Sequence, residues 1–192
     1  TRVGFIDTDS LYETSPPDQI FTTGRAYYTD CATISETRLI SVCQDWGVSY
    51  YGRAVIQDIT ADGLLAGGGV MSLGTAVTFE SATTDWCVVS VIDATKAVVV
   101  YKDQGNSNYL TGVVLTLSGT SITVGTPAVL SSTNCTGMKN HVQLSSTSFC
   151  LGYVEDYDAR AIAFSISGTS FTAGSPVEVE GDSVNGEVAT LF

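Results

Sequence analysis

Apolar residues along this chain fall into short runs of four to seven residues: Cys87–Ile92, Ala97–Tyr101, Gly112–Leu117 and Ala161–Ile166 among them. Gly, Asn, Asp, Ser or Pro bounds each run, and these residues favour turns. No window carries the 3.6-residue apolar period of an amphipathic helix with a capping residue ahead of it. Val, Thr and Ser are abundant, as expected of strands and the turns between them. Many short strands with dense turn signals predict a sandwich, a barrel or a propeller.

A repeat narrows the choice. The stretch Leu117-Ser118-Gly119-Thr120-Ser121-Ile122-Thr123-Val124-Gly125-Thr126-Pro127 returns 49 residues later as Ile166-Ser167-Gly168-Thr169-Ser170-Phe171-Thr172-Ala173-Gly174-Ser175-Pro176. A weaker copy runs from Ser72 to Phe79. Upstream in each unit a strand ends in an acidic loop. The three loops are Gln44-Asp45-Trp46-Gly47, Lys102-Asp103-Gln104-Gly105 and Glu155-Asp156-Tyr157-Asp158. Each unit reads as four strands, exemplified in order by Cys87–Ile92, Ala97–Tyr101, Val113–Leu117 and Ile122–Leu130. The second strand, Ala97-Val98-Val99-Val100-Tyr101, has no polar face and must be covered on both sides. Ser-Gly-Thr-Ser between the third and fourth strands is a tight hairpin, with Gly119 and Gly168 at the positive-φ position.

A period of about 40–50 residues with four strands per unit is that of a β-propeller blade. The expectation is an all-β chain forming a small β-propeller of about four four-stranded blades, in one domain over 1–192. Three blades cover 22–80, 81–131 and 132–180. Residues 181–192 and 1–21 make a split partial blade that closes the ring with N- and C-terminal strands. Arg2–Asp7 with Ser15-Pro16-Pro17 matches the third and fourth strands of the other units, and Glu187–Phe192 matches a first strand. No second strand is found for this split blade. A roll of repeating hairpins is the structural alternative. With Thr1 at its start, the chain reads as a processed product or an excerpt of a longer one.

Charge then removes whole classes of function. Lys and Arg number 8 against 20 Asp and Glu, a formal net charge of −12. Nucleic-acid binding wants a cation for each phosphate contacted, and a polybasic membrane anchor wants the same. No apolar run approaches the ~20 residues of a membrane-spanning helix. No nucleic-acid partner and no membrane insertion are expected. The five cysteines lack a CxxC and there is one histidine, so no zinc site is expected. The cysteines should be mostly reduced and buried as small hydrophobes. Cys31 and Cys43, flanking a turn near Thr37, are the one candidate bridge.

The string Val99-Val100-Tyr101-Lys102-Asp103-Gln104-Gly105-Asn106-Ser107-Asn108-Tyr109, followed by Ser118-Gly119-Thr120-Ser121-Ile122 and Gly125-Thr126-Pro127, resembles a repeat of marine phage tail-fibre and marine bacterial surface proteins. The resemblance is close over Ala97–Leu130, fair over Phe149–Val179 and weak before residue 80. It implies a propeller-like module of a virion or an extracellular or cell-surface assembly, and it implies no catalytic residues.

Candidate chemistry therefore centres on the loops between second and third strands. Serine nucleophiles need a base, and His141 lies in the alternating run His141-Val142-Gln143-Leu144, as a structural strand residue would. No Gly-x-Ser-x-Gly elbow is present. Gly67-Gly68-Gly69 precedes a strand, so it offers no helix N-terminus to a phosphate. Asp103, Asn106 and Asn108 could serve calcium, which takes six to eight oxygens, but an ordinary Asx-turn explains them better. No metal and no cofactor are expected. Aromatic rings beside carboxylates and amides suit a sugar, whose C–H face stacks on the ring. The ligand-binding candidates are Asp45, Trp46, Tyr50 and Tyr51 from the first unit, Asp103, Asn106, Asn108 and Tyr109 from the second, and Asp156, Tyr157 and Asp158 from the third. The expected function is a non-enzymatic structural or binding module that recognises a surface glycan or host receptor and contacts copies of itself or other chains. The alternative is a propeller glycosidase-like enzyme using the loop carboxylates, which would need two of them ~5–10 Å apart.

Overall fold

A computed structural model of the chain describes residues 21–59 and 71–180. The described residues are all-β, with thirteen antiparallel strands and no α-helix. In chain order they are β1 (Ala26–Ser35), β2 (Arg38–Asp45), β3 (Tyr51–Ile59), β4 (Met71–Leu73), β5 (Val77–Asp93), β6 (Lys96–Asp103), β7 (Tyr109–Ser118), β8 (Ser121–Val124), β9 (Ala128–Gln143), β10 (Ser148–Glu155), β11 (Asp158–Ser167), β12 (Ser170–Ala173) and β13 (Val177–Glu180). The runs Cys87–Ile92, Ala97–Tyr101, Gly112–Leu117 and Ala161–Ile166 each lie within one of these.

The expected fourth strand Ile122–Leu130 is not one strand. It breaks at Gly125-Thr126-Pro127 into β8 and the start of β9. The break recurs at Gly74-Thr75-Ala76 and Gly174-Ser175-Pro176, and each time the glycine N–H donates to the third strand. The acceptors are the carbonyls of Ile56, Val114 and Ala163, at 2.8, 2.9 and 2.8 Å. An added Cβ at Gly125 would stand 2.7 Å from the Val114 carbonyl oxygen, so a side chain has no room there. The hairpins ahead of the second and third breaks turn at Gly119 and Gly168, with φ of +59° and +63°, as the repeat predicts.

The expected blade boundaries at 80/81 and 131/132 fall inside β5 and β9. The first part of β5 pairs with β3 (Tyr51 opposite Thr83), and the remainder pairs with β6 (Thr84 opposite Asp103). β9 does the same between β7 and β10. Each long strand thus leaves one sheet and opens the next, and the ladder is continuous through three sheets. It does not close among the described residues. The terminal segments assigned to the split blade, 1–20 and 181–192, and Gly67-Gly68-Gly69 lie outside the described residues.

The three sheets stack face to face, and the middle one is buried on both sides. Ala97, Val99 and Tyr101 of β6 pack with Ile40, Val42, Ala54, Ile56 and Phe79 of the first sheet. Val98 and Val100 pack against Phe149, Leu151, Tyr153, Ile162 and Phe164 of the third. Successive residues of a strand point to opposite faces, so an unbroken apolar run is what a strand between two cores requires. Burying each such side chain contributes about 1.5–3 kcal/mol.

All five cysteines are free thiols, and the Cys31–Cys43 bridge is not formed. Cys31 stands opposite Ser41, not Cys43. Cys31 is exposed, whereas Cys43, Cys87 and Cys135 are buried. Burial pushes the Cys43 and Cys87 thiols up to about 12 and the Cys135 thiol to about 11. A buried thiolate would lack solvation, so these groups stay protonated and inert.

Candidate functional site

The loops between second and third strands lie where β5 and β9 pass from sheet to sheet. Thr84 N–H donates to the Tyr50 carbonyl at 3.1 Å, and Cys135 N–H to the Asn108 carbonyl at 2.9 Å. The end of each loop is thereby tied to the start of the next unit. In the first two units the loop is a short 3-10 turn followed by two left-handed residues, Ser49-Tyr50 and Ser107-Asn108. In the third it shrinks to Asp156-Tyr157, both at positive φ (49° and 76°), the signature of a two-residue type I′ hairpin.

Asp45 and Asp103 are buried, and the loops themselves use their carboxylates. Asp45 accepts from Gly47 N–H at 2.9 Å and Thr23 N–H at 3.1 Å. Asp103 accepts from Asn106 N–H at 3.1 Å. Each satisfies donors at the start of a tight turn. Burial pushes the Asp103 carboxyl up and the nearby charge of Glu80 adds to this, against the backbone N–H groups of Gly105 and Asn106.

The aromatic candidates divide. Trp46 and Tyr50 are exposed, with ring centres 6.5 Å apart, and the Arg25 guanidinium lies 5.3 Å from the Trp46 ring. Tyr51 and Tyr109 are half-buried at the starts of β3 and β7, while Asn106 is exposed and Asn108 half-buried. Tyr157 is 65% exposed at the hairpin tip and is the most open aromatic ring among the described residues.

In the third unit, Asp156 and Asp158 line a cleft of about 560 Å³ with Glu155 and Arg160. Asp158 accepts from Arg160 Nη2 at 3.1 Å, and Asn134 Nδ2 lies 3.4 Å from Asp156. Glu155 is buried and accepts from Tyr153 Oη at 2.8 Å and Ser131 Oγ at 3.0 Å. Burial raises its pKa, but hydrogen bonds from Thr133, Tyr153 and Ser131 and the Arg160 charge outweigh that, leaving its carboxyl below the ordinary range.

Between the first two units lies a cleft of about 420 Å³ lined by Tyr27, Tyr28, Gln44, Tyr50, Asp85 and Gln104. Of these only Tyr50 stood out in the sequence. Tyr27, Tyr28 and Tyr50 are exposed on its wall. Asp85 sits at its polar side, accepting from Gln44 Nε2 at 3.1 Å and Gln104 Nε2 at 2.5 Å, with Lys102 Nζ at 3.4 Å. The carboxylate is thereby ion-paired and oriented, Gln44 and Asp85 are buried, and the cleft's open surface is three phenol rings with the exposed Gln104. That donor and acceptor set suits hydroxyl groups of an uncharged ligand.

A second cleft, of about 530 Å³, runs along the first strands of the three sheets, β1, the later part of β5 and that of β9. Asp30, Trp86, Ser90 and His141 line it. Ser90 Oγ and His141 Nε2 are in hydrogen-bonding contact. Burial lowers the His141 pKa, the charge of Asp30 opposing it, so the ring is neutral at pH 7. Aligning the first strands of the first two units carries a signal for this cleft, because Tyr28 and Trp86 then fall at equivalent places inside a break in register.

No protein-family model matches the chain, and no curated protein matches it.

Proposed function

We propose that this chain is a non-enzymatic binding module of a virion or an extracellular surface assembly, and that it holds a neutral glycan in the cleft between its first two units. The observation that carries the reading is three exposed tyrosines, Tyr27, Tyr28 and Tyr50, on one cleft that Gln104 also lines, with the network of buried Gln44 and Asp85 and half-buried Lys102 beneath it. Tyrosine rings offer stacking faces at low entropic cost, and a few fixed polar groups supply orientation. The net charge of −12 favours neutral or cationic ligands over anionic ones. Against the glycosidase alternative stands the use of Asp45 and Asp103 as caps of their own loops, which leaves them poorly placed to exchange protons with a substrate.

The three stacked sheets and the strand exchange at β5 and β9 favour blades of a β-propeller of about four, in which 181–192 and 1–21 form the remaining blade. The resemblance to tail-fibre and surface repeats supplies the virion or surface setting. Assembly with copies of itself or other chains is a second role, favoured by β13. Its Val177 and Val179 are 64% and 45% exposed on a short strand that, among the described residues, pairs on one side only and could accept another strand.

A glycan array tests the reading. Retention of neutral oligosaccharides is expected, weakened about tenfold by Tyr50→Ala. An array with no retained glycan overturns it.

A further inference from the structure

The loop-end cleft and the cleft along the first strands meet. Tyr28 lines both. Asp85, in the first, is followed directly by Trp86, in the second. The rings of Tyr28 and Trp86 lie 5.7 Å apart, tilted by 56°, at this junction.

Both residues are held in a backbone conformation that bulky side chains rarely adopt, with φ of 49° for Tyr28 and 48° for Trp86. Both sit at a shift of register, between Tyr27 and Asp30 in one case and Asp85 and Val88 in the other. Such bulges re-aim a side chain that the regular pleat would point elsewhere. Left-handed conformations of large residues persist only where the surroundings enforce them, and they concentrate at ligand clamps. Trp86 is half-buried against the core between the second and third sheets, and Lys102 Nζ, anchored on Asp85, lies 4.8 Å from its ring centre. Tyr28 rests against it and keeps 42% of its surface open. This is a pre-organised aromatic surface, so little ordering cost falls on binding.

Beyond the pair, the first-strand cleft is polar. Ser90 and His141 touch, and Asp30, which lines the cleft, accepts from Val89 N–H at 2.9 Å on one carboxylate oxygen and from Cys31 N–H at 2.8 Å on the other, so each oxygen keeps further acceptor capacity. A hydroxyl, a neutral imidazole and a carboxylate can share hydrogen bonds with sugar hydroxyls. Asp30 has no ion-pair partner among the described residues, so a carboxylated or sulfated sugar would be repelled.

We infer that the two clefts form a single groove for an extended, uncharged oligosaccharide, with the strained Tyr28–Trp86 pair as the stacking platform where they join. This rests on the carbohydrate reading above and deepens it: the ligand is a chain long enough to pass the platform.

The test compares dimers with hexamers of β-1,4-linked N-acetylglucosamine and of β-1,4-linked glucose. The hexamer of at least one series should bind about tenfold tighter than its dimer. Only the hexamer should shift the Trp86 indole N–H and the ring resonances of His141, the one histidine in the chain. Tyr28→Gly accepts the positive φ freely, so the variant should fold; as Tyr28 also lines the loop-end cleft, the dimer should weaken and the hexamer weaken more, erasing the chain-length gain. If hexamers bind no tighter than dimers and leave Trp86 and His141 unmoved, while Tyr50→Ala still weakens the dimer, the groove is wrong and the loop-end cleft stands. A chain-length gain that survives Tyr28→Gly removes the platform. Failure of both series to bind overturns the groove, whatever the array retains.

Discussion

Asp103 and Glu155 occupy the same place in successive repeats, at the end of the second strand, yet their surroundings shift them in opposite directions. Asp103 opens a five-residue loop and spends its carboxylate on that loop's own N–H groups, beside the charge of Glu80. Glu155 opens a two-residue hairpin that has no such groups to cap. Its longer side chain turns inward to hydroxyls of Tyr153 and Ser131, with Arg160 near. Burial opposes the charge in both. What differs is the number of donors that compensate for it. Repeat equivalence conserves the position of an acid, and loop length decides what the acid does.

The largest effect should come from breaking the third unit's network. Glu155→Ala strands two buried hydroxyls and removes a partner of Arg160, so it should cost about 3 kcal/mol in urea unfolding with an unchanged m-value. Asp103→Ala loses one loop cap and should cost about 1–2 kcal/mol, most of it restored by Asp103→Asn, whose amide oxygen still accepts. Equal costs for the two alanine variants would dissolve the contrast.

A pH series sharpens it. Glu155 has a folded pKa below its ordinary 4.5. Its stabilisation is full above that value and is lost as pH falls through the folded pKa. Asp103 has a folded pKa above 3.8. Its ionised form weighs against the fold at neutral pH, and that penalty is relieved as pH falls through the raised pKa and is gone below 3.8. The cost of Glu155→Gln should therefore shrink on acidification and that of Asp103→Asn should grow. Parallel pH profiles for the two variants would refute the assignment.

The smallest effects test the sameness of the units. Gly119→Ala and Gly168→Ala meet no neighbouring atom, so each should cost only the strain of a positive φ, about 1 kcal/mol, and the two should add.

The strands and hairpins were legible because local rules govern them. Alternation, the unbroken run Ala97–Tyr101 and the glycine of Ser-Gly-Thr-Ser each state a backbone or burial requirement in a few residues. The loop candidates were legible as loop residues, but their roles were not. Asp45 and Trp46 are neighbours in sequence, and one is buried as a cap while the other is exposed beside Arg25. Tyr28, Asp85 and Trp86 were passed over because they sit inside strands, where an aromatic or an acid ordinarily reads as packing or surface.

An all-β chain, its repeat, its turns and its doubly buried central strand are already written in the order of the residues, since periodicity and turn chemistry act over a few residues. The folded arrangement was needed to see that Gly125-Thr126-Pro127 breaks a strand and that β5 and β9 each serve two sheets. It alone brought Tyr28 and Trp86, far apart in the chain, to the junction of two clefts. Those outcomes depend on register and on which sheets stack, quantities set by contacts between distant residues and invisible to any local pattern.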